Sequence, residues 1–178
     1  FPGVGFQLGP WNPVLCSGAL LERLAEASCD DGWRVQTHLM ETQYQAEYAR
    51  RTYGKSWVAH LDEIGMLSER FSGAHGVWLD RGDMDMMKEA GAQVVYNPSS
   101  NMRLGSGLAP VREYLSVGVP VAFGLDSLSM NDDEDMFQDL RLGQTIQNGP
   151  GIDRESIPAG TLFEMATGAG ATVAGVDG

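Results

Sequence analysis

Apolar segments of five to eight residues alternate with helix-patterned segments along the chain, and this alternation constrains the fold more than any other feature. The strand-like segments fall at 4–8, 33–38, 71–78, 92–96 and 120–125. Helical spacing occupies 17–27, where Leu20, Leu21, Leu24 and Ala25 recur on one face behind Ser17 as N-cap. It returns at 43–53 before Gly54, at 56–67 behind Ser56, at 80–90 before Gly91 and at 110–117. The strand segments are nearly continuous in apolar or small residues, as expected when both faces of a parallel sheet are covered. Right-handed crossovers then give an α/β fold, and an open doubly wound sheet and a TIM-type barrel both satisfy the pattern.

Composition narrows the partners. The chain has 178 residues, 43% apolar and 20% charged, which is enough for one domain with a sizeable core. Net charge is −12 with no window rich in Lys or Arg, which argues against a nucleic-acid partner. No apolar run approaches the roughly 20 residues of a membrane span, and no leader pattern opens the sequence. Cys16 and Cys29 have neither metal-binding nor disulfide-framework spacing and read as reduced thiols, Cys16 as a buried one. A soluble, cytoplasmic protein with no membrane partner is expected.

Polar residues collect at the carboxyl ends of the strands. His38, His75 and Asp126 each end one, and the loop 97–107 leaves the same end of another. In a parallel barrel such ends converge on one mouth, so the barrel becomes the better reading. Histidine and carboxylate ligands suit zinc or another first-row divalent ion, and Glu41 or Asp126 could move a proton there. His60 lies mid-helix and reads as structural or surface. Asp132 to Asp135 lack the spaced ligands and glycine turn of a calcium loop and read as a helix start, while Gly105 and Gly107 read as backbone freedom rather than a phosphate cradle.

Four blocks carry a family resemblance: Thr37-His38-Leu39-Met40-Glu41-Thr42, Ala74-His75-Gly76-Val77-Trp78-Leu79, the run from Tyr96 to Val111, and Gly124-Leu125-Asp126-Ser127. In this order they resemble the amidohydrolase superfamily, and within it the branch of triazine hydrolases and cytosine and guanine deaminases. The resemblance implies a (β/α)8 TIM-type barrel of which this chain holds about strands four to eight. It implies one divalent metal, zinc or iron, and a water directed at a ring carbon bearing an amino or halide group. His38 and Asp126 are the implied metal ligands, Asp126 also taking the water's proton. Glu41 is the implied proton shuttle to the substrate ring, and His75 orients the water. Asn97, Ser100 and Asn101 are expected to shape the substrate pocket.

Two departures qualify the likeness. The family's Gly-Thr-Asp-Gly reads Gly124-Leu125-Asp126-Ser127, which alters the pocket wall but keeps the aspartate. The family's His-x-His pair has no counterpart, so residues 1–178 are expected to be an internal piece lacking the first strands and the β-sandwich domain. Five-eighths of a barrel leaves open strand edges, so the separated chain is expected to be inactive and poorly soluble. The complete enzyme is expected to act on a small heterocycle by deamination and to assemble as a homo-oligomer. A dehalogenase or amide hydrolase would use the same groups, whereas a non-catalytic barrel would not need four titratable groups at one mouth.

Overall fold

The computed structural model describes residues 5–131, 133–149 and 156–176. Five strands, β1 (Gln7–Leu8), β2 (Arg34–Leu39), β3 (Phe71–His75), β4 (Gln93–Tyr96) and β5 (Val121–Phe123), form one sheet in the order of the chain. Every adjacent pair is parallel, with Leu39 opposite His75 and Tyr96 opposite Phe123. A doubly wound sheet reverses its order at a switch point, and this one does not. Consecutive parallel neighbours are what a (β/α)8 barrel requires, and the sheet is a five-stranded arc of one.

Local chemistry sets the helix ends. Ser17 caps α1 (Gly18–Asp30), Thr42 caps α2 (Gln43–Tyr53) and Ser56 caps α3 (Trp57–Glu63), each accepting from a backbone N–H three residues on. Asp80 and Asp83 form a reciprocal capping box at α4 (Arg81–Ala90), which Gly91 ends in a left-handed conformation. The helices bury Leu21, Ala49, Leu61, Met87 and Tyr114 against Val35, Phe71, Val94 and Val121 of the strands, forming one continuous core. No helix among the described residues is long and apolar enough to cross a membrane.

The structure departs from the sequence-based expectations in several places. The first strand is only Gln7–Leu8, and Val4 lies outside the described residues. In β2 burial alternates, with Val35, Thr37 and Leu39 buried and Gln36 and His38 partly exposed, because that strand's inner face borders an open cleft. The segment expected as an unbroken loop holds a short helix, α5 (Pro98–Arg103). Asn-Pro-Ser-Ser has the composition of a turn, yet proline suits the first position of a helix, where no N–H is required.

Helix α6 (Val111–Val117) precedes β5, and α7 (Leu128–Asn131) and α8 (Met136–Gln147) follow it. Asp135 caps α8, as the acidic cluster suggested, while Asp132 lies outside the described residues. Two further helices, α9 (Ala159–Ala166) and α10 (Gly168–Ala174), meet at Thr167, where the backbone leaves the helical region. Cys16 is half-buried and Cys29 exposed, both free, so neither is the fully buried thiol that Cys16 was expected to be. Desolvation pushes the Cys16 thiol above its ordinary value.

Candidate active site

The strand ends are turned sharply where the chemistry sits. Met40, His75 and Asp126 adopt φ of 50°, 76° and 75°, a left-handed region that side chains other than glycine rarely enter. Each lies at or just beyond the end of a strand, where the chain must change direction to reach the next helix. Gly76 repeats the turn at φ 61°, and a Cβ there would meet Val94 Cγ1 at 2.9 Å. Its carbonyl accepts from the Tyr114 hydroxyl, which locks the corner after His75 to α6.

These corners bring His38, His75 and Asp126 together. One ligand atom from each lies within 4.8 Å of the other two. Ligands about 2.0–2.2 Å from a shared cation stand up to about 4.4 Å apart, so the cluster is close to the spacing one ion demands. The two imidazole rings stack with centroids 5.2 Å apart. His38 Nδ1 donates to the Trp11 carbonyl, and His75 Nδ1 pairs with Asn101 Oδ1 at 2.9 Å. With Nδ1 protonated in both rings, Nε2 is left as a lone-pair donor. His75 is fully buried, and its Nε2 meets no hydrogen-bond partner among the described residues. An orphaned basic nitrogen beside a second imidazole and a carboxylate fits a divalent cation.

Helix α5 carries the supporting groups. Ser100, with no exposed surface, donates to Asp126 Oδ2 at 2.6 Å, while Asn101 holds His75. The sequence suggests both as residues that shape the substrate pocket, and their polar atoms engage the two site groups. Asn97 lines the cleft, and its buried Oδ1 has no partner among the described residues. Ser99 donates to Asp139 of α8, whose carboxyl is pushed above its ordinary value by burial. Glu41 follows the end of β2 and is not one of the three clustered groups; its Oε1 accepts from Ser106 at 3.3 Å and its backbone N–H donates to Gln45 Oε1 at 3.1 Å. His60 lies on α3, outside the cluster.

The cleft at this mouth has a volume of about 520 Å³ and is lined by Trp11, Gln36, His38, Asn97 and Asp126, among others. That volume suits a small molecule. Trp11 is 71% exposed and overhangs the cleft with its ring 6.2 Å from that of His38. Sequence reasoning did not single out Trp11, Trp78 or Ser106. A tryptophan after the first strand segment was a visible signal for the first; the other two depend on contacts between distant segments.

Known proteins are similar to this chain in sequence and in fold. A 5'-deoxyadenosine deaminase of Methanothermobacter thermautotrophicus is 37% identical over 170 residues, covering 96% of this chain and 40% of the relative. An adenosine deaminase structure from Xanthomonas campestris with bound zinc superposes with a TM-score of 0.90 at 28% identity, over 99% of this chain and 40% of that one. The zinc complex of an atrazine chlorohydrolase from Arthrobacter aurescens gives 0.87 at 30% identity, over 94% and 37%. The chain thus spans about 40% of the length of the curated relatives it matches. The amidohydrolase family profile matches residues 2–178, and with the consecutive parallel strands and the histidine–aspartate mouth this places the chain in the amidohydrolase family.

Proposed function

We propose that this chain supplies the His38, Glu41, His75 and Asp126 part of a zinc-dependent aminohydrolase that releases ammonia from a nitrogen heterocycle, with a 6-aminopurine nucleoside as the preferred substrate class. The convergence of His38, His75 and Asp126 at the mouth of a ligand-sized cleft carries the reading. The names of the relatives, 5'-deoxyadenosine deaminase and adenosine deaminase, support the substrate class.

A bound divalent ion would supply hydroxide at neutral pH by lowering the pKa of water towards about 7. His38 would hold that ion through Nε2, together with Asp126. Asp126 takes one proton from the water and passes it to the departing amino group. Glu41 delivers the other to the ring nitrogen beside the attacked carbon. The C–O bond forms, the C–N bond breaks and ammonia leaves. His75, kept in one tautomer by Asn101, orients the water, and Ser100 fixes Asp126 for its proton transfer. Asn97 and the Trp11 ring contact the heterocycle across the cleft.

The ion is zinc rather than iron, in keeping with the zinc-bound neighbours. Residues 1–178 form one partial barrel domain of an enzyme that works as a homo-oligomer in the cytoplasm, where the free thiols Cys16 and Cys29 stay reduced. The test is ammonia release by the complete, zinc-loaded enzyme from 5'-deoxyadenosine, adenosine, guanine and melamine, with chloride release from atrazine measured in parallel. Ammonia from the adenosine compounds is expected. Chloride release without ammonia would replace this reading with a dehalogenase, and turnover by the separated 178-residue chain would contradict the need for further metal ligands.

A further inference from the structure

The turn after α5 presents a serine with each of its polar groups engaged. Ser106 N donates to Asn101 O at 2.9 Å, its carbonyl accepts from Trp78 Nε1 at 2.9 Å, and its hydroxyl donates to Glu41 Oε1 at 3.3 Å. Ser106 is 5% exposed although it sits in a connecting turn. Gly105 and Gly107 on either side have φ of 68° and 120°, and a Cβ at Gly107 would meet Val77 Cγ1 at 2.9 Å. The positive φ on either side is a conformation that glycine adopts freely.

Trp78 joins the two partners. Its backbone N–H donates to Met40 O at 2.8 Å, and its indole N–H donates to Ser106 O. One residue therefore fixes the corner that carries Glu41 and the turn that carries Ser106, from segments 65 residues apart in sequence. A hydroxyl that donates to one carboxylate oxygen fixes the rotation of the carboxyl group and keeps that oxygen an acceptor. The other oxygen is then the one left to carry a proton.

We propose that Ser106, clamped by Trp78, is the positioning residue that sets the Glu41 carboxyl for proton delivery, Oε1 being held and Oε2 carrying the proton; this rests on the role given to Glu41 above. Ser106 does not touch substrate. It acts through Glu41, so its loss slows the proton step and leaves binding of the heterocycle and the ion unchanged.

The experiment compares Ser106→Ala, Trp78→Phe, Glu41→Gln and the pairwise doubles in the complete zinc-loaded enzyme, with 5'-deoxyadenosine as substrate. Ser106→Ala is expected to lower kcat about 10–100-fold, the range typical of outer-shell partners, with KM within about twofold and unchanged zinc content. Trp78→Phe keeps an aromatic side chain, though a smaller one, and removes the indole donor, so a smaller fall in kcat is expected, with no further fall when it is added to Ser106→Ala. On the Glu41→Gln background Ser106→Ala should have no effect. The proposal is overturned if wild-type turnover is normal and Ser106→Ala keeps kcat within twofold, if kcat falls only in step with zinc content or melting temperature, or if Ser106→Ala is equally damaging without Glu41. A wild-type enzyme that releases no ammonia from any of the heterocycles overturns the deaminase reading and this proposal with it.

Discussion

Two histidines, His75 and His60, mark two regions that solve opposite problems. His60 belongs to the shell between α2 and α3, where its ring stacks on Tyr53 at 3.9 Å and its Nδ1 lies 3.8 Å from Glu63. Trp57 is fully buried there and stacks on Tyr48 with 6° between the planes. His75 lies at the strand-end mouth in a left-handed backbone, with an orphaned Nε2. Three of the five buried, unpartnered side-chain atoms among the described residues, on His75, Asn97 and Asn101, are at this mouth, against Trp57 Nε1 alone in the shell. Strain and unmet polarity gather where a ligand can use them, and ring packing gathers where only stability is served.

The contrast predicts that damage to the two regions separates into different observables. Trp57→Ala should destabilise the fold by about 3–5 kcal/mol, the usual cost of emptying a buried tryptophan site. Urea unfolding would show it, while kcat per folded molecule stays unchanged; a loss of kcat would mean the shell and mouth are coupled. His38→Ala should do the reverse. Turnover should fall about a thousandfold or more, corresponding to the several kcal/mol a metal supplies, and bound zinc should be lost with it. Zinc content measured by atomic absorption at the wild-type level in that variant would remove His38 from the ligand set.

A smaller effect sharpens the role of α5. Asn101→Ala frees the ring of His75, which orients the water, and should lower kcat about 10–100-fold with zinc affinity and melting temperature nearly unchanged. Competition with a chelator decides this. A weakened zinc affinity would instead make His75 a ligand. The smallest change is expected from His60→Ala, which loses an aromatic stack worth about 0.5–1.5 kcal/mol and should leave kcat untouched. Calorimetry and a single turnover assay together would expose any hidden role.

Much of the mouth was legible because strand-end residues are set by the chain's own periodicity. Once the segments that end at His38, at His75 and just before Asp126 are strands of one parallel sheet, the three residues must share an end. Glu41 stands out in the sequence by its place three residues beyond His38, but it is not among the three groups that cluster. Less legible was α5, because Asn97-Pro98-Ser99-Ser100 suits a turn as well as a helix start. Its Ser100 and Asn101 therefore read as pocket residues, whereas the structure has them gripping Asp126 and His75. The alternating burial of β2 was likewise hidden, since it depends on the cleft beside the strand rather than on the strand's composition.

The sequence by itself determined the succession of strands and helices, their caps, the family and the identity of the groups at the strand ends. These depend on hydrophobic period and short motifs, which are local. Only the tertiary structure decided that the strands keep chain order without reversal, that His75 has a free Nε2, and that Ser106 reaches Glu41 under the clamp of Trp78. Such features are hydrogen bonds between segments tens of residues apart. Their partners are chosen by the packing of the sheet and its corners, and no local pattern encodes them.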